Sequence, residues 1–310
     1  MRGTGCSDAH DGGVNMTHEE IVQSVMSEHL SLRPEEIQIV DRLKGGMSNS
    51  NYVVKADHKY YTFRIPGKNA HVFVDRTIEE HIIELIRPLE IDGNLLLKLD
   101  RTTGYKISRY VAGTPLMIAD PAAEYDRAAE LLHTLHHSGL VAENDYAPFI
   151  RLAYYEDLVR REGLTHQDSY FDIRDRFFRF KNWLLDWPTV LCHNDAQPSN
   201  FIAIPEGKLL LLDWEFGGNN DPIYDIACYG NNDFQYAIGL LPVYLRREPR
   251  KEEWLRLYLW RTFQCLQWHN VALYKAAIGL SEELHLDFRL IAQAYIDKAN
   301  KLFDEAKKWQ

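Results

Sequence analysis

Apolar residues first recur at helical spacing at Ile21, Val22, Val25 and Met26, just after Thr17 and Glu20, which stand at capping-box separation. A helix running to about Leu30 is predicted. From Ile37 the period shortens, and runs rich in β-branched and aromatic residues at 37–43, 52–56 and 60–65 read as three antiparallel strands, joined at Gly45-Gly46 and Asp57-His58. Ile78, Ile82, Ile83, Leu85, Ile86 and Leu89 then mark an amphipathic helix over 75–89, ending near Pro88. Two further strands are expected at 95–99 and 105–111, with 100–104 as their hairpin. Beyond residue 115 the pattern is mostly helical, at 121–137, 152–161, 171–185, 252–277 and 282–307, with strands only at 190–193, 201–204 and 209–213. A β-rich part followed by a helical part implies an α+β chain of two lobes meeting at a cleft: 16–111 as an antiparallel sheet with one main helix, and 112–310 as a mostly helical lobe. Residues 1–15 are Gly- and Asp-rich without periodicity and read as a disordered leader.

Composition narrows the class. The 310 residues are 45% hydrophobic, 26% charged and 12% aromatic, close to an ordinary soluble protein. No apolar run approaches the roughly 20 residues that span a bilayer, and the start lacks a signal-peptide layout, so membrane insertion is not expected and a cytoplasmic location is. Cys6, Cys192, Cys228 and Cys265 form no CxxC pair, which argues for reduced structural cysteines rather than disulfides or a zinc knuckle. Asn15-Met16-Thr17 is a sequon without a secretion signal to make it meaningful. The formal charge of −10, with no dense Lys/Arg run, disfavours nucleic acid and suits a cationic small molecule.

The strongest chemical signal is His193-Asn194-Asp195 leading by five residues to Asn200, then a strand ending in Asp213-Trp214-Glu215. Phosphoryl transfer on a kinase scaffold needs one carboxylate to orient or deprotonate the acceptor hydroxyl, and an Asn and a second carboxylate as hard-oxygen ligands for Mg2+. Asp195 takes the first role; Asn200 and Asp213 take the second. His193 reads as a hydrogen-bonded support of the loop, and His133, His136 and His137 as packing residues on one amphipathic helix.

With these motifs in view, the chain resembles a bacterial-type choline kinase, within the wider aminoglycoside phosphotransferase and protein-kinase-like superfamily, over about residues 37–301. The resemblance is carried by residues 43–52, by Phe63-Arg64-Ile65-Pro66-Gly67, by 193–200, by 213–215 and by the Trp/Tyr-rich helix after Glu252. It implies a protein-kinase-like bilobal fold that uses ATP and Mg2+. A loop around Gly45, Gly46, Ser48, Asn49 and Asn51 would cover the phosphates, and Arg64 would clamp them in place of the lysine of protein kinases. Glu79 would orient Arg64, in preference to Glu80, because Glu79 shares a face with Ile82, Ile83 and Ile86. Adenine would rest near 107–111, with Ser108 and Tyr110 as contacts. No Gly-x-x-x-x-Gly-Lys-Ser/Thr occurs, which disfavours a P-loop enzyme.

For the acceptor, Trp260, Gln264 and Trp268 fall at i, i+4 and i+8 on one helix face, with Trp254, Tyr258 and Tyr274 near in sequence. Such a stripe by itself is as readily helix core as a cage for a quaternary ammonium. The resemblance favours the cage, and implies acceptor contacts from Asp195, Gln197, Glu215, Tyr224, Trp260 and Trp268. Tyr224 follows Asp213 so closely that no long activation segment fits, which disfavours a peptide substrate. Choline is the expected acceptor; ethanolamine, thiamine or an aminoglycoside is the alternative, and a catalytically silent nucleotide-binding scaffold the reading from another class.

Overall fold

The computed structural model describes residues 16–43, 49–205 and 207–310. The expected leader with Cys6 and Asn15, and the phosphate-loop residues Gly45, Gly46 and Ser48, lie outside the described residues. The chain divides into two compact units, Met1–Ala70 with Leu95–Tyr110, and His71–Asn94 with Val111–Gln310.

In the first unit, α1 (His18–Leu30) starts with the anticipated capping box: Thr17 accepts from the Glu20 amide and the Glu20 carboxylate accepts from the Thr17 amide. It packs on a five-stranded antiparallel sheet of β1 (Gln38–Leu43), β2 (Asn49–Ala56), β3 (Lys59–Pro66), β4 (Leu96–Leu99) and β5 (Lys106–Arg109), in the order β1-β2-β3-β5-β4. Asp57 and His58 both have positive φ, 46° and 56°, as a two-residue hairpin turn requires to match the strand twist. Val22 and Met26 of α1 meet Tyr52, Val54, Ala56, Tyr61, Phe63, Ile65 and Ile107 in one core, so a single face of the sheet is covered by this helix. Strand alternation sends the intervening residues to the opposite face.

The second unit contains α2 (Arg76–Ile86), β6 (Thr114–Pro115), α3 (Tyr125–His136), α4 (Pro148–Arg161), α5 (Asp168–Phe178), α6 (Lys181–Leu185), β7 (Val190–Cys192), β8 (Phe201–Ala203), β9 (Leu209–Leu211), β10 (Gly218–Asn220), α7 (Pro222–Tyr229), α8 (Phe234–Leu245), α9 (Lys251–Ala277), α10 (Leu280–Leu284) and α11 (Phe288–Ala306). Its strands form two small antiparallel sheets, β10-β7 and β6-β8-β9. The longest helix, α9, is packed along its length by α11, α4, α5 and α7.

Several features differ from the sequence reading, among them the short strands β6 and β10, which it did not anticipate. Residues 71–94, with α2, group with the helical unit rather than with the sheet. The reason is local: Arg76 on α2 reaches Glu215 at 3.2 Å, and Ile82 sits so close to Gly217 that a Cβ there would lie 2.5 Å from its Cγ2. The helices expected at 171–185 and 282–307 are each two, α5 with α6 and α10 with α11; the second break falls at His285, whose φ is 53°. Helices α7 and α8 were not anticipated: α7 is buried almost all round, which blurs its period, and α8 carries an internal Pro242 although Ala237, Leu240, Leu241 and Tyr244 recur on one buried face. No described helix is long and apolar enough to cross a membrane. Cys192, Cys228 and Cys265 are free and buried.

Candidate active site

Residues 193–200 leave the small sheet at the end of β7 and owe their shape to a carboxylate far away in sequence. Asp225, fully buried on α7, accepts from the His193 amide at 2.8 Å and from the Asn194 amide at 2.6 Å. His136 of α3 approaches the same carboxylate at 3.0 Å through Nε2, and its Nδ1 lies 2.9 Å from the Tyr244 hydroxyl. A carboxylate in so apolar a helix needs such donors to offset its desolvation. His136, Asp225 and Cys192 offer ligand atoms within 4.8 Å of one another. These hydrogen bonds, with Cys192 Sγ donating to the Asn220 carbonyl at 3.3 Å, account for the cluster as a brace under the loop.

Asn194 has φ of 64°, a left-handed conformation that Asn tolerates better than most residues, and its side chain ties the turn down. Its Nδ2 donates to the carbonyls of Phe216 and Gly218 at 3.0 and 3.1 Å, while Oδ1 accepts from Asn220 at 2.7 Å. His193 is fully buried, as expected of a support. Its Nε2 donates to the Leu212 carbonyl at 3.0 Å, which leaves Nδ1 to accept from the Asp195 amide at 3.2 Å. The tautomer is thereby set by a carbonyl on one side and an amide on the other.

Above this brace, Asp195 Oδ2 accepts from Gln197 Nε2 and from Asn200 Nδ2, each at 3.1 Å. Asn200 Nδ2 also donates to the Asp195 carbonyl at 2.8 Å. Both amides converge on one carboxylate oxygen, so the rotamer of Asp195 is held while Oδ1 stays available. Burial, then the charges of Asp213 and Glu215, push the Asp195 carboxyl well above its ordinary value. The strand end that carries Asp213 turns sharply, with φ of 70° at Asp213. Glu215 accepts from Arg76, which also binds the fully buried Glu79 at 2.6 Å. Asp213 and Glu215 thus lie near enough to Asp195 for their charges to act on it, and carboxylate and amide oxygens are the hard donors that a small divalent cation prefers.

In the sheet unit, the register pairs Arg64 with Asn51 on one side and Lys106 on the other, and Thr62 with Ser108. Directly paired residues share a face, so Asn49, Asn51, Arg64 and Ser108 all belong to the face that α1 does not cover. The Asn49 Oδ1 lies 3.4 Å from the Gly67 amide. Tyr110 continues the same alternation beyond β5; its amide donates to the Tyr60 carbonyl at 3.1 Å. Arg64 is 4% exposed. Glu79 lies on the buried face of α2, with Ile82, Ile83 and Ile86, whereas Glu80 is half-buried.

The aromatic acceptor contacts need correction. Trp260 and Tyr224 are each 1% exposed, which leaves no ring face for a ligand. The Trp260 indole N–H donates to Asp221 at 2.7 Å, and its ring packs on Tyr224, Phe263 and Phe149. The Tyr224 hydroxyl donates to Gln267 at 3.0 Å. Here the stripe is helix core, because α9 is enclosed on most sides and its aromatic rings fill the space between helices. Trp268 is half-buried and packs with Tyr155, Leu158 and Tyr274. Asp225, His136 and Asn194 were missed as functional supports; an Asp inside the apolar run 222–229 was the available signal, since a buried carboxylate must have donors.

Residues 39–260 match the family model of the phosphotransferase enzyme family, APH, and the chain belongs to that family. Protein LicA of Haemophilus influenzae is 27% identical over 190 residues, 59% of this chain and 55% of that protein. Ethanolamine kinase 2 of Mus musculus is 26% identical over 245 residues, covering 73% and 61% respectively. The chain thus spans a little over half the length of these curated relatives. Among solved structures, choline kinase LicA from Streptococcus pneumoniae is 26% identical and superposes with a TM-score of 0.71 over 91% of this chain and 99% of that one. The fold is the α+β, protein-kinase-like fold of these kinases.

Proposed function

We propose that this chain transfers the γ-phosphoryl group of ATP to the hydroxyl of a small amino alcohol, with choline as the acceptor. The observation that carries this reading is the Asp195 carboxylate, held through Oδ2 by Gln197 and Asn200 and leaving Oδ1 to receive the acceptor hydroxyl. As the acceptor oxygen bonds to the γ-phosphorus, the bond from that phosphorus to the bridging oxygen breaks, ADP departs and the hydroxyl proton passes to Asp195. A carboxylate placed at the acceptor oxygen is the group such a proton transfer needs. Asn200 and Asp213 would hold Mg2+, which supplies positive charge against the phosphate oxygens. Asn49, Asn51 and Arg64 serve phosphate binding, with Glu79 as the orienting acid for Arg64. Ser108 and Tyr110 serve the adenine, and Gly45, Gly46 and Ser48 complete the phosphate loop.

Gln197, Glu215 and Trp268 remain as acceptor contacts beside Asp195. Choline is favoured by the LicA relatives, one of which is named a choline kinase, and by the half-buried Trp268. Ethanolamine is the second reading, favoured by the carboxylates around Asp195, which can each accept from a primary ammonium that rings alone would serve poorly. An ATP-consuming reaction of this kind belongs in the cytoplasm. The test is Mg2+-dependent ATP consumption with choline, ethanolamine, thiamine and kanamycin side by side. Choline is expected to give the highest kcat/KM; a different winner replaces the acceptor, and no turnover with any of the four removes the phosphotransfer reading.

A further inference from the structure

Arg261 stands on α9 with 1% of its surface exposed, and its guanidinium is aimed at amides rather than at a carboxylate. One terminal nitrogen donates to Gln264 Oε1 at 2.8 Å; the other donates to Asn231 Oδ1 at 2.8 Å and to the Asn231 carbonyl at 3.2 Å. Lys298 of α11 donates to the same carbonyl at 2.8 Å, so two cations pin one asparagine. The Asn231 amide then donates to Gln197 Oε1 at 2.6 Å, and Gln197 Nε2 donates to Asp195 Oδ2 at 3.1 Å.

A guanidinium has five N–H donors and no acceptor. Whatever it touches must therefore present oxygen. Asn231 is compelled to turn Oδ1 toward Arg261 and Nδ2 toward Gln197, which compels Gln197 to turn Oε1 toward Asn231 and Nε2 toward Asp195. Side-chain amides by themselves choose either sense; here one end of the chain dictates it. In the reversed sense the Gln197 carbonyl oxygen would face the Asp195 carboxylate, two acceptors in contact, and Asp195 would rotate away from Asn200.

We propose that Arg261 and Asn231 are positioning residues for phosphoryl transfer: the donor-only guanidinium imposes a one-way sequence of hydrogen bonds that sets the rotamer of Asp195 and presents Oδ1 to the acceptor. This rests on the assignment of Asp195 above. The decisive variant is Asn231→Asp. Its carboxylate still accepts from Arg261, its main-chain carbonyl still accepts from Lys298, and it adds an opposite charge beside them, yet it cannot donate to Gln197. With the acceptor of highest turnover in the panel, kcat is expected to fall about tenfold, with KM for ATP unchanged and a thermal midpoint no lower than the parent's. A second pair separates direction from packing. Arg261→Lys keeps a donor-only group and should retain kcat within about threefold, whereas Arg261→Gln, which can donate or accept, should lose about tenfold at a similar thermal midpoint.

Parental kcat in Asn231→Asp overturns the proposal. So does an equal loss in both Arg261 variants together with a lowered midpoint, which assigns a structural role instead. Asp195→Ala is the control: if it keeps turnover, the assignment of Asp195 falls; if it is inactive while Asn231→Asp is normal, only the positioning role falls.

Discussion

Residues 193–200 and the aromatic face of α9 lie in the same unit and are held by different forces. The loop has no regular structure, and its conformation comes from hydrogen bonds with a defined direction: two backbone amides donate to Asp225, His193 to the Leu212 carbonyl, and Gln197 and Asn200 to Asp195. The α9 face is regular, and Trp260 and Phe263 are fixed mainly by area and ring packing, with one indole N–H satisfied by Asp221. Hydrogen bonds orient atoms to within tenths of an ångström, as phosphoryl transfer requires. Packed rings tolerate substitution better and carry stability. A residue conspicuous in sequence, such as Trp260, can therefore belong to the second kind, while inconspicuous amides belong to the first.

The widest separation between the two regions is expected from Asp195→Ala, which should cut turnover by about two to four decades with little change in thermal midpoint; activity near the parent's would erase the distinction. Asp225→Asn comes next. An Asn there sets an N–H against one of the two loop amides, so stability should fall by on the order of 3 kcal/mol in denaturant titration, with turnover at least about tenfold lower. Retained turnover would show that the brace beneath the loop is dispensable.

On α9 the expected sensitivity is to acid. His269 stacks on Tyr170 at 4.8 Å, donates to the Ala292 carbonyl at 3.0 Å and faces His166; burial pushes its pKa down to about 4. Above the usual value of 6.5 the ring is neutral in both folded and unfolded chains, so its contribution is intact. Between 6.5 and about 4 only the unfolded chain takes the proton, and stability should fall by on the order of 3 kcal/mol. His269→Gln, which keeps a donor for Ala292, should flatten that part of the stability–pH curve; an unchanged slope would exclude His269 as its source. The smallest effect is expected from Trp260→Phe: about 1 kcal/mol of stability lost with the indole N–H, and an unaltered acceptor KM. A large rise in KM at full stability would return Trp260 to the acceptor wall and break the comparison.

Much of the architecture was legible because its signals are local. The Thr17/Glu20 cap, the Asp57-His58 turn and the alternation of β2 and β3 each depend on a few neighbouring residues. The spacing of Asp195 and Asn200 was legible for the same reason, and the structure brings Asn200 onto Asp195. What was not legible depends on contacts across long sequence separations: Asp225 lies 31 and 32 residues from the amides it binds, and Arg261 lies 30 from Asn231. Helix α7 escaped because residues buried on several sides lose the period that marks a surface helix, and α8 because Pro242 stands inside it. The stripe on α9 misled for a related reason, since helical spacing says which residues share a face and nothing about what covers it.

The pairing of β2 with β3 carries a safeguard against a functional misfold. Arg64 and Phe63 are neighbours that alternation sends to opposite sides of the sheet, one toward the face with Asn51, the other into the core with Val22 and Met26. If the hairpin slipped by one position, the guanidinium would be driven into hydrocarbon and the phenyl ring exposed, at a cost of several kcal/mol. A chain that has paired these strands stably has thereby also set Arg64 beside Asn51 on the side of the sheet away from α1, so one pairing event fixes the core and the polar face together.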